Sequence, residues 1–158
     1  MTITLQPITA DNWIECINLK PTEEQERLGF VSPNQLSLVQ AYAERWWQPY
    51  AIYADTVIVG FVLYGCWPTQ GVPAHHTDTE AGAHFILRFM IDVRYQGRGY
   101  GYAAMAAVIA QIKREPSAKK IAISYDASHP VMARLCRSVG FQPTGRVIDD
   151  EIEACITL

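Results

Sequence analysis

The sequence lacks several features that would assign it to a common functional class. Four cysteines are present, but they are widely spaced and form no C-x-x-C pair, so zinc and thiol-redox motifs have no support. A reduced, cytoplasmic setting is therefore expected. No apolar run reaches the length of a transmembrane helix, and the first residues lack the charged and apolar regions of a signal peptide. We therefore expect no membrane partner.

Charge is also scarce. Charged residues make up 18% of the chain, and the net charge is −3. This balance argues against a general nucleic-acid binder, which would carry a basic surface. The 158 residues, of which 49% are hydrophobic, suit one globular domain spanning residues 1–158.

The order of hydrophobic patterns predicts an α/β domain with a central mixed β-sheet flanked by helices. Strands are expected at 2–6, 50–54, 57–64, 85–91, 120–125, 141–147 and 151–158. The strand, helix and strand between 85 and 125 predict a right-handed crossover and hence a parallel pair. Residues 20–27 read as a solvated loop or helix end, and 67–82 read as a loop.

Four helices are expected, each with one apolar side turned toward the core. The first lies near 13–17 and the second runs from Ser32-Pro33 to about Trp46. The third runs from Gly99 toward Pro116, and the fourth from Ser128 to Gly140. Trp13 and Ile17 share one face of the first helix, and one side of the second carries Leu36, Val39, Ala43 and Trp46. The residues expected to face the core are Tyr102, Met105, Ile109 and Ile112 in the third helix and Val131, Leu135 and Val139 in the fourth.

The stretch from Phe85 to Arg114 is the most informative part of the chain. A buried strand, a glycine-rich turn and a long helix follow one another in FILRFMIDVRYQGRGYGYAAMAAVIAQIKR. This arrangement presents unpaired backbone N–H groups at a helix N-terminus, where the helix dipole favours an anion. Glycines allow the backbone to curl around phosphate oxygens. Arg94 and Arg98 flank the turn and are expected to add charge-assisted hydrogen bonds.

The glycine spacing excludes two familiar phosphate loops. A dinucleotide fingerprint needs G-x-G-x-x-G, but Gly97, Gly99 and Gly101 place the third glycine one residue too early. No G-K-[ST] follows, which excludes the Walker loop. The string from Gln96 to Gly101 instead fits Q/R-x-x-G-x-G/A, and in this it resembles the GCN5-related N-acetyltransferases (GNAT). The alternative is a turn that only links a strand to a helix.

A second family signature, N-x-x-A-x-x-L-Y-x-x-x-G-F, falls on residues 129–141. Leu135, Gly140 and Phe141 match it, whereas His129, Met132 and Cys136 replace the asparagine, alanine and tyrosine. The resemblance implies that His129 contacts the pantetheine arm and that Cys136 occupies the position of the acid that protonates the CoA thiolate. The alternatives are that Cys136 is an inert buried thiol, or that Tyr125 or Tyr102 serves as the acid.

The resemblance extends through the whole chain. The spermine/spermidine (diamine) acetyltransferase branch is resembled by the segments ERLGFVSPNQLSLVQA, PYAIY, VGFVLYG, LRFMIDVRYQGRGYG and RVIDDEIEA. It implies an acetyl-CoA-dependent N-acetyltransferase that acts on a polyamine by direct transfer in a ternary complex, with no metal and a homodimeric state. It also implies that the strand before the glycine loop splays from its neighbour and that its backbone contacts the pantetheine arm. The implied acetyl-CoA contacts are Phe89, Met90, Ile91, Gln96, Gly97, Arg98, Gly99, Tyr100 and Gly101.

The groups that would bind and deprotonate an amine are less well marked. His84 has a suitable unperturbed pKa for a base, although a strand-end histidine with a structural role or a water chain to an acidic residue explains the pattern equally well. A polycationic amine would favour acidic residues, and two clusters contain them, with Glu23 and Glu24 in one and Asp150 and Glu151 in the other. The alternative is a pair of solvated acidic turns. The aromatics Trp46, Trp47 and Tyr50 suit either an amine site or the core.

Three alternative interpretations of the sequence concern a metal, the acceptor and catalysis itself. His75 and His76 suggest a metal, but no third ligand lies at a familiar spacing, so exposed loop histidines are the better interpretation. The alternative acceptors are an amino acid, an antibiotic amine and a protein N-terminus. A non-catalytic acyl-CoA-binding or sensing domain is the reading from a different class, because His129 and Cys136 depart from the signature.

Overall fold

The computed structural model describes residues 1–76 and 80–158. Within this part of the chain seven strands form one sheet in the order β1-β2-β3-β4-β5-β7-β6. The strands are β1 (Ile3–Pro7), β2 (Trp47–Ala54), β3 (Val57–Cys66), β4 (His84–Ile91), β5 (Lys120–Asp126), β6 (Gln142–Ile148) and β7 (Glu151–Thr157). The helices are α1 (Trp13–Ile17), α2 (Glu23–Arg27), α3 (Asn34–Ala43), α4 (Tyr100–Ile112) and α5 (Pro130–Ser138).

The sheet is mixed, as predicted. β4 and β5 are parallel, which confirms the crossover through α4, and the other neighbouring strands are antiparallel. One core cluster lies under α4 and α5 and includes Met105, Val108 and Cys136. A second lies on the other face of the sheet and includes Cys16 and Trp47. The helices therefore flank a central sheet, and the predicted fold class is confirmed.

The turns between strands form where the sequence predicts them. Asp55 at the β2–β3 turn and Asp149 and Asp150 at the β6–β7 turn all have positive φ, a conformation that aspartate tolerates better than most residues. Gly140, with φ 103°, follows α5 as expected. The predicted loop at 67–82 contains no helix or strand in its described residues, and residues 77–79 of that prediction lie outside them.

In α3 and α1 the buried residues are not those that share the apolar side of the helix in the sequence. In α3 the buried residues are Asn34 and Ser37, whereas Leu36 and Val39 are exposed. A polar contact determines which side of α3 is buried. The Asn34 side-chain amide donates to the Cys16 carbonyl oxygen at 2.8 Å and so holds the N-terminus of α3 against α1. In α1 the buried residue is Cys16 itself.

The remaining differences are smaller. Trp13, Tyr102 and Val131 are exposed, because Cys16, Met105 and Cys136 occupy the inward positions of their helices. Residues 20–27 contain the short helix α2, which begins at a capping box of Thr22 and Gln25. The predicted α3 was three residues too long. It ends at Ala43, because Trp47 is buried as the first residue of β2 opposite Gly65.

No helix in the described ranges is both long enough and apolar enough to cross a membrane.

Gly60 is a position where the sheet tolerates no side chain. A Cβ there would overlap the Met90 carbonyl oxygen and lie 2.9 Å from Ile91 Cδ1. Because a backbone oxygen in a sheet cannot move away cheaply, we expect Gly60→Ala to lower the free energy of unfolding by about 2–3 kcal/mol in denaturant titrations. Gly101→Ala is the matched control, since its Cβ would meet Leu135 at an ordinary 3.7 Å. Equal midpoints for Gly60→Ala and the wild type would contradict the packing described here.

Candidate functional site: a wedge between two strands

β4 and β5 separate part-way along their length. Their pairing covers only His84–Ile86 against Ile121–Ile123. Beyond these residues β4 stays paired with β3 as far as Ile91, and β5 stays paired with β7 as far as Asp126. The two strands therefore enclose a wedge, which confirms the splay expected from the resemblance.

The β4 edge of the wedge carries backbone groups without a β5 partner. The Asp92 amide donates to Val59 of β3 at 2.9 Å, whereas the Ile91 carbonyl accepts from the Gln96 side chain at 2.9 Å. Backbone groups of successive strand residues alternate between the two neighbouring strands. Met90 therefore directs its backbone to β3, and Phe89 and Ile91 direct theirs into the wedge. Of the three predicted backbone contacts, Phe89 and Ile91 have the required orientation, whereas the Met90 backbone faces β3.

The glycine loop lies where β4 leads into α4. Gly97 and Gly99 have φ values of 75° and 81°, and no atom lies within 4 Å of the position a Cβ would take at either residue. α4 begins at Tyr100, so the first N–H groups of this 13-residue helix face the loop without helical partners. The loop is therefore an open cradle for an anion such as phosphate.

The Gln96 side chain stabilises this loop through hydrogen bonds. Its side-chain amide donates to the Ile91 carbonyl and to Gln25 Oε1, each at 2.9 Å. Gln25 Nε2 donates back to Gln96 Oε1 at 3.4 Å. Sequence reasoning gave no signal for Gln25, because it lies 71 positions away in the chain.

The two arginines that flank the loop differ in their partners. Arg94 donates from Nε and Nη2 to the two carboxylate oxygens of Asp92, at 2.7 and 3.2 Å. Burial alone would raise the pKa of Asp92, but the hydrogen bonds from Arg94 and from the Lys20 amide outweigh it and lower the pKa. Arg94 is thus part of a structural ion pair, and the expectation that it binds phosphate is not supported. Arg98 is exposed and lies 5.9 Å from the centre of the Tyr95 ring.

A cleft of about 360 Å³ runs from the loop along the wedge, and we call it the glycine-loop cleft. Apolar side chains such as Val31 and Leu135 line much of it, and Arg134 supplies a cation at its surface. Sequence reasoning missed Arg134, although it stands next to the matching Leu135 of the second signature. The other lining residues include Pro21, Phe30, Phe89, Met90, Ile91, Gln96, Gly97, Gly101, His129, Val131 and Met132.

A second cleft of about 300 Å³ opens on the other side of the wedge, and we call it the acidic cleft. It contains three carboxylates, those of Asp126, Asp149 and Glu151, and one guanidinium, that of Arg88. The Ser124 hydroxyl donates to Glu151 Oε2 at 2.5 Å, which fixes this carboxylate beside the point where β4 and β5 separate. Burial lowers the pKa of Arg88, and the nearby Glu151 opposes that shift.

His129 lies in the wall that the two clefts share. Its ring stacks on Phe30 with centroids 4.2 Å apart and planes inclined by 10°. Burial lowers the pKa of His129, an effect that Asp126 partly opposes, so the ring is neutral at pH 7. Phe30, Phe89 and Met132 also line both clefts, so a molecule lying in one of them can meet a molecule in the other.

The three candidate acids, Cys136, Tyr102 and Tyr125, differ in whether they line a cleft. Cys136 is 1% exposed and lines neither cleft, and burial raises the pKa of its thiol to about 12. Tyr102 is exposed on the far side of α4. Tyr125 lines the acidic cleft, and burial followed by the proximity of Cys136 raises the pKa of its phenol. The structure therefore favours Tyr125 over Cys136 as a proton donor.

His84 is not positioned to act as a base. It is fully buried at the paired end of β4, and its Nε2 lies 2.7 Å from Glu115 Oε2. It lines neither cleft. The base role that the sequence allowed for His84 is therefore not supported by its location.

The predicted amine-binding residues are only partly brought together. Glu151 lines the acidic cleft, whereas Glu23, Glu24 and Asp150 are exposed and line neither cleft. The aromatics also differ from the expectation. Trp67 lines the acidic cleft, whereas Trp46, Trp47 and Tyr50 do not.

Comparison with known proteins decides the family. The model of the acetyltransferase (GNAT) domain matches residues 2–142. The chain belongs to the GNAT acetyltransferases. It is 28% identical over 147 residues to a spermine/spermidine N(1)-acetyltransferase of Bacillus subtilis, and the match covers 93% of this chain and 92% of that protein.

Solved structures share the GNAT fold of this chain. The aminoglycoside acetyltransferase AAC(6')-Ib in complex with coenzyme A superposes with a TM-score of 0.77 at 16% identity, covering 99% of this chain and 95% of the other. The spermidine N-acetyltransferase of Vibrio cholerae in complex with CoA and spermine gives 0.72 at 13% identity, covering 98% and 95%. At such identities the likeness establishes the fold of this GNAT acetyltransferase. The identity of the acceptor depends on this chain's own residues.

Proposed function

We propose that the protein transfers the acetyl group of acetyl-CoA to a primary amine of a small polyamine such as spermidine or spermine. The observation that carries the proposal is the shared wall of the two clefts. A donor in the glycine-loop cleft and an acceptor in the acidic cleft would meet beside Phe89, where β4 and β5 diverge. This geometry supports direct transfer in a ternary complex.

The glycine-loop cleft accounts for the donor. The pyrophosphate of acetyl-CoA would lie on the N–H groups of the loop and of the α4 N-terminus, with Arg98 and Arg134 as cations. The pantetheine arm would follow the wedge, pairing with the backbone of Phe89 and Ile91 and passing His129. Two solved relatives of the same fold are described with CoA bound, which supports this choice of donor.

The acidic cleft accounts for the acceptor. Three carboxylates around one guanidinium give it a negative balance, which suits a chain of ammonium groups. The sequence relative named a spermine/spermidine N(1)-acetyltransferase supports the same class of substrate over nearly the full chain. Glu151 is the carboxylate best placed to bind the reacting ammonium, because the Ser124 hydroxyl orients it next to the wedge.

The reaction needs several proton transfers and the stabilisation of one developing negative charge. The ammonium of the acceptor gives a proton to water held by Glu151, and the neutral amine nitrogen then attacks the thioester carbon. The Phe89 N–H stabilises the oxyanion as the C–N bond forms. The C–S bond then breaks, and the departing thiolate takes a proton from Tyr125. The nitrogen of the amide product loses its extra proton to water, and water reprotonates the Tyr125 phenolate. Neither Cys136 nor His84 takes part.

Glu151→Gln is expected to raise the KM for spermidine by about 10-fold, because it removes a charge worth roughly 1–2 kcal/mol to a bound ammonium. The amide keeps the shape of the side chain, so acetyl-CoA affinity should stay unchanged. Steady-state kinetics at saturating acetyl-CoA measures this effect. Glu23→Gln is the matched control, since Glu23 is exposed and outside both clefts. An equal KM change in both variants would contradict a specific role for Glu151.

The acceptor class is tested by comparing kcat/KM across a panel of amines. The panel should contain spermidine, spermine, kanamycin, free amino acids and a peptide with a free N-terminus. The proposal predicts that the linear polyamines have the highest kcat/KM. A higher kcat/KM for kanamycin or for the peptide would show that the acceptor is an antibiotic or a protein N-terminus instead of a polyamine. Acetyl-CoA binding without turnover of any amine would favour the non-catalytic acyl-CoA sensor.

The homodimer and the cytoplasmic location expected from the resemblance and from the cysteine pattern stay predictions. Sedimentation equilibrium of the purified protein tests the first. A monomer at micromolar concentration would exclude a stable dimer without affecting the proposed chemistry, because the residues named above all belong to one chain.

A further inference from the structure

The side chains of Glu44, His75 and His76 converge at the mouth of the acidic cleft, and we call them the Glu44–His75–His76 cluster. The Nε2 atoms of His75 and His76 lie 3.2 and 2.8 Å from the same oxygen, Oε1 of Glu44. Glu44 follows α3, whereas the histidines belong to the loop after β3, 31 and 32 positions later. Sequence spacing alone therefore did not reveal the third member.

The cluster has the dimensions of a transition-metal site. The three candidate ligand atoms all lie within 4.8 Å of one another. Tetrahedral coordination with bonds of about 2.0–2.1 Å requires ligand atoms about 3.3–3.4 Å apart. The distances from Glu44 Oε1 to the two nitrogens, 3.2 and 2.8 Å, are shorter than this, so the oxygen and the nitrogens would have to move apart by up to roughly 0.6 Å to admit an ion.

The surroundings hold the ligands in place. The second carboxylate oxygen of Glu44, Oε2, accepts from Gln40 Nε2 at 2.9 Å and from Trp47 Nε1 at 2.8 Å. These bonds turn Oε1 toward the histidines. The Trp67 ring lies 5.0 Å from the His76 ring in an edge-on contact, which restrains that imidazole. Partners that orient ligands in this way are typical of metal sites and raise their affinity.

The three ligands differ in chemistry. Glu44 offers a carboxylate oxygen, and each histidine offers a ring nitrogen. An ion there would be held by these three atoms.

We propose that the Glu44–His75–His76 cluster binds one divalent transition-metal ion of the Zn²⁺ class. Two imidazoles and a carboxylate are ligands that suit Zn²⁺, and they exclude Ca²⁺ and Mg²⁺, which prefer all-oxygen sites. Three protein ligands leave a fourth position for water. Because His75 and His76 line the acidic cleft, the ion ties the loop after β3 to the end of α3 and shapes one wall of that cleft. The proposed metal site does not rest on the proposed acetyl transfer, because its ligands are identified by their own geometry.

Zn²⁺ binding to the untagged full-length protein tests the proposal, measured by calorimetry and by competition with a chromogenic chelator. One ion per chain with a Kd in the micromolar range or below is expected. His75→Ala and Glu44→Gln should each weaken binding by more than the roughly 10–100-fold that the loss of an outer-shell partner costs. His75 is largely exposed, so its replacement should leave the fold intact.

Two control variants separate this cluster from other ligands in the chain. Cys66→Ser removes a partly exposed thiol, and His129→Gln removes a histidine outside the cluster. Both should retain one Zn²⁺ with wild-type affinity. Absence of saturable binding at micromolar Zn²⁺ would overturn the proposal. Binding that survives in both His75→Ala and Glu44→Gln would overturn it as well, since the ion would then lie elsewhere.

Discussion

Replacing Gly99 by valine is expected to weaken acetyl-CoA binding by about 100-fold or more. The side chain would project into the open space that the phosphates need, and the positive φ of 81° would no longer be accessible without strain. Loss of two charge-assisted hydrogen bonds to the pyrophosphate costs about 3 kcal/mol, which corresponds to that change in Kd. Calorimetric titration of the variant with acetyl-CoA measures it.

Gly145→Val is the matched control for this experiment. Gly145 has a nearly equal φ of 85° and equally open surroundings, but it lies in β6, away from both clefts. Both variants should therefore lose similar stability from backbone strain, and only Gly99→Val should lose affinity. If folded Gly99→Val binds acetyl-CoA as the wild type does, the glycine loop is not the phosphate site.

Tyr125→Phe is expected to lower kcat by about 100-fold with little change in either KM, the lower end of the range for losing a general acid. Of the three residues considered as acids, Tyr125 is the one that lines the acidic cleft. Because burial raises its pKa, the phenol stays protonated through neutral and moderately alkaline pH. The proton is thus available to the CoA thiolate throughout that range. Steady-state kinetics on spermidine measures the change.

Two conservative variants test the alternatives for this role. Tyr102→Phe and Cys136→Ser remove the other two groups considered, and both should keep kcat within a few-fold of the wild type. A large loss of kcat in Cys136→Ser, together with an unchanged kcat in Tyr125→Phe, would show that the buried thiol is the proton donor. Thermal unfolding of each variant separates a catalytic loss from a loss of fold, which matters for Cys136 because it lies in the core.

The parts of the fold that the sequence predicts well are those with strong local signals. β4, the glycine loop and α4 follow one another in the chain, so strand pattern, positive-φ glycines and helix start could be recognised together. The Asp149-Asp150 turn and Gly140 were predicted for the same reason. The inward face of α3 was not, because hydrophobic spacing favoured Leu36 and Val39, whereas one polar contact from Asn34 decides how the helix docks.

The parts of the site that the sequence could not predict depend on contacts between distant residues. Gln25 meets Gln96, and Glu44 meets His75 and His76, only after the sheet has formed. Cys136 and Tyr125 show the same limit. The family motif suggested Cys136 as the acid. Tyr125 lies beside the acidic cleft because β5 separates from β4 before that residue. Spacing in one segment carries no information on such pairs.

The most direct test of the proposed function is the release of CoA from acetyl-CoA with and without spermidine. Chromatographic separation is the appropriate readout, because the four free cysteines of the protein would react with a thiol reagent. The account predicts release that depends on spermidine, with one acetyl group gained by the polyamine for each CoA formed. No release with spermidine or spermine, in a protein that binds acetyl-CoA, would contradict it.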